Sequence, residues 1–307
     1  MELRHLELLR ELADRGTVTA VAEATYRSPS AVSQQLRSAE RAFGTRLVEP
    51  DGRRLRLTAA GRLLAEGAVD VATTLAHLQR DLDHLQGAPS GVVRVAGLPS
   101  AMEFLTPGLL TRFAGTAIDV RLTDEDVAET DFARRASDHD IVIGHSLAAS
   151  PAGAEGLEVT LVALEPLDVA LPARHPLAGR DSVAAADLAG ERWIGVPEGF
   201  PFDTVRLAIE TQAGRQLDVV QRIRDNRVVE ALVAAGLGCA LLPRFTTRVR
   251  PDVRLVPLAD VRSRRSIVAL SRPDRLERAA TRAVLDALVR IGGAAGAAVV
   301  DGPAPTS

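Results

Sequence analysis

Leu3, Leu6, Leu9 and Leu12 recur at helical spacing and predict a first helix. Thr17 then suits the N-cap of a short helix running to Ala24, and Thr25-Tyr26-Arg27-Ser28 breaks the pattern. Pro29, behind Ser28 as cap, sits where a helix tolerates proline, and a second amphipathic stretch begins. Val32, Leu36, Ala39 and Phe43 share one of its faces. Ser30, Ser33, Gln34, Arg37 and Arg41 occupy the other, which is polar, carries cations and no acid. The run LVEPDGRRLRL at 47–57 places two apolar pieces around Asp51-Gly52, a hairpin signal, with Arg53, Arg54 and Arg56 just past the turn. From Thr58 a long helix is predicted to about Gln86. Leu64, Ala68, Val71, Leu75, Leu78, Leu82 and Leu85 repeat along it as a heptad seam that asks for a partner helix. Gly87-Ala88-Pro89-Ser90-Gly91 ends it as a hinge.

Beyond the hinge the period changes. Strand-like runs at 92–98, 118–122 and 140–145 alternate with helices near 101–114 and 127–137. A second set follows: strands at 167–172, 192–196, 217–223 and 239–243, with helices near 203–213 and 226–236. Late strands near 254–258 and 266–270 precede a last helix near 275–291. This order predicts an α/β region with mostly parallel pairing. The tail from Gly292 is rich in Gly, Ala and Pro and is expected to be disordered.

Charge alters the reading of the first part. Every basic residue is arginine, and between Arg15 and Arg62 nine arginines face four acids, in a chain whose net charge is −3. A basic patch on a mildly acidic protein is an electrostatic footprint for nucleic acid. A helix locked on one side and polar on the other, beside a basic hairpin, fits a winged helix-turn-helix whose second helix enters a major groove.

The pieces SPSAVSQQL, Glu40, Gly44 and LTAAGRLL, at their spacing between Leu3 and Leu64, resemble the N-terminal domain of LysR-type transcriptional regulators. The resemblance implies that Ser30, Ser33, Gln34 and Arg37 lie at a DNA surface. Two positions depart from the family pattern: Ala39 stands where leucine is usual, and Pro50 stands where an arginine often contacts phosphate. Residues from about 90 to 290 resemble the family's two-lobed, periplasmic-binding-protein-like effector domain, most closely in ARHPLAG at 173–179 and VVEALVAAGLGCALLPR at 228–244. The implied organisation is α/β: a winged helix-turn-helix at 1–62 and a linker and dimerisation helix at 58–87. Lobe 1 takes 91–164 and 265–291, and lobe 2 takes 165–264. The tail is 292–307, and the chain would cross between lobes near 163–167 and 262–266. Homodimerisation through the linker is implied, with a homotetramer left open, and RNA polymerase is a partner if the regulator activates.

In such a fold a ligand sits beyond the carboxyl ends of strands, against helix starts. Ser100 and Ala101 follow the first strand, where free amides and the helix dipole favour an anion. Glu198, Phe200 and Phe202 follow a second-lobe strand, in a stretch with three of the chain's nine aromatics counting Trp193, and His145 and Asn226 stand at further strand-to-helix junctions. Glu198 favours an amine, and with Ser100 suits a zwitterion. Each residue has a structural reading too: Ser100 as a cap, His145 as a loop histidine, the phenylalanines as packing. Cys239, the one cysteine, reads as core.

The rival reading is a two-lobed enzyme or solute-binding protein. No nucleophile elbow, P-loop or dinucleotide fingerprint is present, and the six histidines lack metal-site spacing, so neither catalytic residues nor a metal or cofactor is expected. The charged first helix is unlike an export signal, and no run spans a bilayer, which points to a cytoplasmic protein without a membrane partner. A DNA binder indifferent to ligands is the third reading.

Overall fold

The computed structural model describes residues 2–52, 54–125, 132–147, 151, 153–248 and 250–300. The chain opens with α1 (Leu3–Arg15). Thr17 Oγ1 accepts the Ala20 amide at 3.1 Å and starts α2 (Val18–Ala24). Ser28 Oγ accepts the Ala31 amide at 3.2 Å and starts α3 (Pro29–Phe43). Leu8, Leu9, Leu12, Val21, Val32, Leu36 and Ala39 meet in one core, closed by Leu47 and Leu57 from the hairpin of β1 (Val48–Asp51) and β2 (Arg54–Leu57). The Leu55 amide donates to the Gly16 carbonyl at 2.8 Å and ties this wing to the turn after α1. The long helix α4 (Ala59–Gln86) starts pressed against the hairpin: a Cβ on Gly61 would lie 2.1 Å from the Leu47 carbonyl oxygen, so only glycine fits. Its seam is half covered. Ala68 is buried, whereas Leu75 and Leu78 remain 47% and 62% exposed.

Lobe 1 is built on β3 (Gly91–Gly97), β4 (Ile118–Asp124) and β5 (Ile141–Ser146), all parallel. α5 (Pro99–Phe113) covers one face and α6 (Phe132–Asp138) the other. The first part of the helix expected near 127–137 lies outside the described residues.

Two strands depart from the expected pattern. β6 (Glu158–Pro172) begins well before the expected 167, and β11 (Arg264–Ser271) runs beside it in antiparallel register. Up to Pro166, β6 pairs with β11 in lobe 1; from Leu167 it pairs with β9 (Ala240–Pro243) and β10 (Val253–Val256) in lobe 2. The expectation of mostly parallel pairing is therefore corrected. Besides the three lobe 1 strands, only β7 (Arg192–Gly195) and β8 (Asp218–Arg222) pair in parallel among the described strands of the two lobes. A chain that leaves a lobe and returns to it must send one strand each way, and those strands run antiparallel.

α7 (Pro201–Ala213) and α8 (Asn226–Ala234) complete lobe 2. The short α9 (Pro273–Leu276) and α10 (Ala279–Val300) return to lobe 1. The expectation of a disordered tail is corrected for 292–300, where α10 continues to Val300; residues 301–307 lie outside the described set. Gly292 there serves packing, since a Cβ would stand 2.2 Å from the Val162 carbonyl oxygen of β6.

Candidate functional site

Two places carry candidate chemistry. The first is the outward face of α3. Val32, Leu36 and Ala39 are buried, which turns Ser30, Gln34, Arg37 and Arg41 into solvent, with Ser33 half-buried beside them. Glu40 does not join that face; its carboxylate accepts the Leu47 amide at 3.0 Å and fixes α3 to the wing. Ser30 shares a 2.9 Å hydrogen bond with Ser28, and the Arg41 Nε donates to the Arg37 carbonyl at 3.3 Å. On the wing, Arg54 and Arg56 are exposed, and Arg56 pairs with Glu49 at 2.6 Å. Arg53 lies outside the described residues. Tyr26, in the turn before α3, was not anticipated: it is 98% exposed and sits at φ 52°, a left-handed conformation costly for a tyrosine.

The second is a cleft of about 410 Å³ between the lobes, at the carboxyl ends of the parallel strands. Ser100 lines it from the first turn of α5, where backbone amides lack intrahelical acceptors. His145, Phe200, Phe202 and Asn226 line it too. Ala101 is instead fully buried in the lobe 1 core. Glu198 does not line the cleft: its side chain is 79% exposed and meets Arg222 at 3.2 Å, because β8 sends that arginine across the loop. The zwitterion expectation loses its carboxylate there.

The cleft floor holds a pair that sequence reading missed. Arg265 on β11 is register partner to Glu165 on β6, and both are almost fully buried. Arg265 Nη2 and Nε reach Glu165 Oε2 at 2.7 and 2.8 Å. Glu165 Oε1 accepts the Phe245 and Thr246 amides at 2.7 and 3.0 Å. Arg265 also donates to Ser100 Oγ at 3.2 Å and to Thr246 Oγ1 at 3.3 Å, and it stacks over Phe202 at 5.6 Å. The floor's cation is thus already neutralised. At the mouth, Glu103 of α5 accepts from Arg227 at 3.0 Å and from Arg248 at 3.0 and 3.2 Å, a solvent-exposed clasp between the lobes. Such an exposed pair is energetically cheap to exchange.

His145 packs edge-on against Phe202 at 5.8 Å, and its Nδ1 is buried without a partner. Burial, and secondarily the Arg265 cation, lower its pKa from 6.5 to about 3. The unfolded chain takes up that proton near 6.5 and the folded chain does not. The stability contribution is complete above pH 6.5 and drains away as pH falls towards 3. His145→Asn should flatten this part of a plot of urea midpoint against pH; an unaltered slope would assign the titration to another group.

A family model described as the LysR substrate binding domain matches residues 86–291, and one described as a bacterial regulatory helix-turn-helix protein of the lysR family matches 3–62. The chain belongs to the LysR family. It is a LysR-type transcriptional regulator, with a helix-turn-helix DNA-binding part and an effector-binding part. A hydrogen peroxide-inducible genes activator of Dickeya chrysanthemi is 28% identical over 89% of this chain and 90% of its own length. A RuBisCO operon transcriptional regulator of Allochromatium vinosum is 27% identical over 85% of each. The full-length structure of CbnR complexed with its target DNA aligns with a TM-score of 0.54 at 21% identity, covering 95% of this LysR chain and all of the other. These relatives are regulators of transcription rather than enzymes. No described helix is long and apolar enough to cross a membrane.

Proposed function

We propose that this LysR-type regulator acts as a homodimer on double-stranded DNA and responds to a small metabolite held between its lobes, with RNA polymerase as a further partner if it activates. The cleft carries the reading. It sets a serine and the first turn of a helix against two phenylalanines, the pairing of a polar end and an apolar wall that small-ligand sites use. With Glu198 turned away, and the Arg227 and Arg248 side chains hydrogen-bonded to the exposed Glu103 carboxylate that a ligand carboxylate would replace, the ligand we infer is an organic anion with an apolar body, although Asp124, Asp225 and Glu230 also line the cleft. A calorimetric screen of small carboxylates, amino acids and amines tests this. Carboxylates are expected to bind, and Ser100→Ala to weaken them about tenfold, the value of a hydrogen bond to a charged group. Binding by amines alone would overturn the ligand class, and a Ser100→Ala variant binding normally would return Ser100 to a structural role.

Peroxide chemistry of the kind named for the Dickeya relative finds no support at Cys239. That thiol is buried, donates to the Arg192 carbonyl at 3.4 Å, and is pushed up in pKa by burial, whereas a reactive cysteine needs its thiolate.

The dimer reading rests on the open half of the α4 seam. Leu75→Asp with Leu78→Asp would set like charges against each other in a paired seam and should give monomers. Light scattering at the wild-type mass would show instead that these leucines are not an interface.

A further inference from the structure

The DNA-binding head does not hang from α4 alone. The carboxyl-terminal half of α1 lies on the base of lobe 1, at the sheet end opposite the cleft. Asp14 accepts from Arg272 and, at 3.0 Å, from Ser137 Oγ. Arg10 reaches Asp274 at 3.1 Å, and Arg15 reaches Asp138 at 2.6 Å while also holding Glu11. Arg272 is only 7% exposed. Burial raises the Asp14 carboxyl and lowers the Arg272 guanidinium, so desolvation works against both charges and each needs the other. An accidental surface touch between exposed charges would not show this. On the lobe side the contact is braced from below. Ser271 Oγ donates to the Asp140 carbonyl at 2.6 Å, and the Asp140 carboxylate takes Arg275 and Arg278. The same strand, β11, carries Arg265 in the cleft floor at one end and leads directly into Arg272 at the other.

We propose that the base of lobe 1 is a docking surface for the DNA-binding head of its own chain, so that head and lobe 1 turn as one body while lobe 2 moves against them. Docking leaves the α3 face clear, since Gln34, Arg37 and Arg41 stay exposed. The arrangement is therefore compatible with bound DNA and sets the angle at which α3 is presented. Closing or opening the cleft then moves lobe 2 while the angle between the head and lobe 1 stays fixed by this contact and by α4, whose Arg80 reaches Glu277 beside α9.

Hydrogen exchange on the full chain tests this. Residues 132–138 lie under α1, whereas 273–276 are packed chiefly against α4 and meet α1 through Arg10, and short elements of this kind owe much of their protection to what packs on them. Asp14→Arg sets a cation against Arg272 and Arg10 and should speed exchange about tenfold in 132–138 and by less in 273–276, which α4 still covers. Arg10→Ala with Arg15→Ala removes the flanking contacts, leaves Asp14 intact, and should speed it by a smaller factor, which covers the case where Asp14→Arg does not fold. Unchanged exchange in a folded Asp14→Arg variant, or in the double variant, overturns the proposal. A mixed-sequence duplex added to the wild-type protein at low ionic strength should leave both segments protected. Protection lost on adding the duplex would overturn the single-body claim, because the head would then dock only off DNA. Failure to bind the duplex at all would count against the DNA-binding reading and leave the exchange of the variants to decide the docking surface.

Discussion

A chain carrying Ser33→Ala, Gln34→Ala and Arg37→Ala is expected to fold normally and lose operator binding by two to three orders of magnitude, roughly. These side chains take no part in the head's core, which Val32, Leu36 and Ala39 supply from the opposite face of α3. Stability should stay near wild type for that reason. Gln34 contributes discrimination of about 1–3 kcal/mol if it reads a base through two hydrogen bonds. Arg37 contributes a counterion-releasing contact, so the slope of log affinity against log salt should become shallower by about one. Mobility-shift titrations at several salt concentrations, with melting curves beside them, separate the two contributions. Wild-type operator affinity in the triple variant would remove α3 from the DNA.

Arg265→Met should be the most destabilising single change in the effector lobes, costing about 3–5 kcal/mol, because it leaves the Glu165 carboxylate buried without its cation. The carboxylate cannot simply be deleted, since Glu165 also accepts the Phe245 and Thr246 amides. Glutamine at 165 keeps an acceptor for those amides and carries no charge. Arg265→Met combined with Glu165→Gln should therefore recover more than half of the loss, even though it changes two buried residues instead of one. Urea unfolding of the three variants and the parent gives the coupling directly. If the double variant is less stable than Arg265→Met alone, the cost lies in lost packing over Phe202 and not in an uncompensated charge.

The head was legible because its signals are local. A cap, a proline and an apolar spacing of four, three and four residues specify α3 within a single stretch of chain, and Glu40 three positions from Phe43 needs only the wing to complete its role. The floor of the cleft was not legible. Glu165 and Arg265 sit a hundred residues apart, and each alone reads as a solvated charge interrupting an apolar strand. That interruption, an acid in VALEPLDVAL and an arginine before SIVAL, was the available signal. The early part of β6 escaped notice because Leu161 and Leu164 face outward and blur the alternation. Loop position placed Glu198 near the cleft but could not tell which way its side chain turns; Arg222, from another strand, decides that. Glycine and alanine near the end suggested fraying, yet Gly292 is small because α10 crosses β6 at backbone distance.

The neck between the lobes has a use beyond ligand closure. The chain enters lobe 2 after Pro166 and leaves it at Arg264, which are partners on adjacent strands, and the Leu167 amide already bonds the Ser263 carbonyl at 2.8 Å. Lobe 2 is thus an insert whose two ends touch. A tight turn joining those ends would excise it while sparing the lobe 1 strands, the long helix and the head. The lobe 2 wall of the sensing site is in this sense a removable cartridge: grafting a different second lobe onto the same neck, opposite the Ser100 and His145 that stay in lobe 1, would retune what the regulator perceives without altering where it sits on a chromosome.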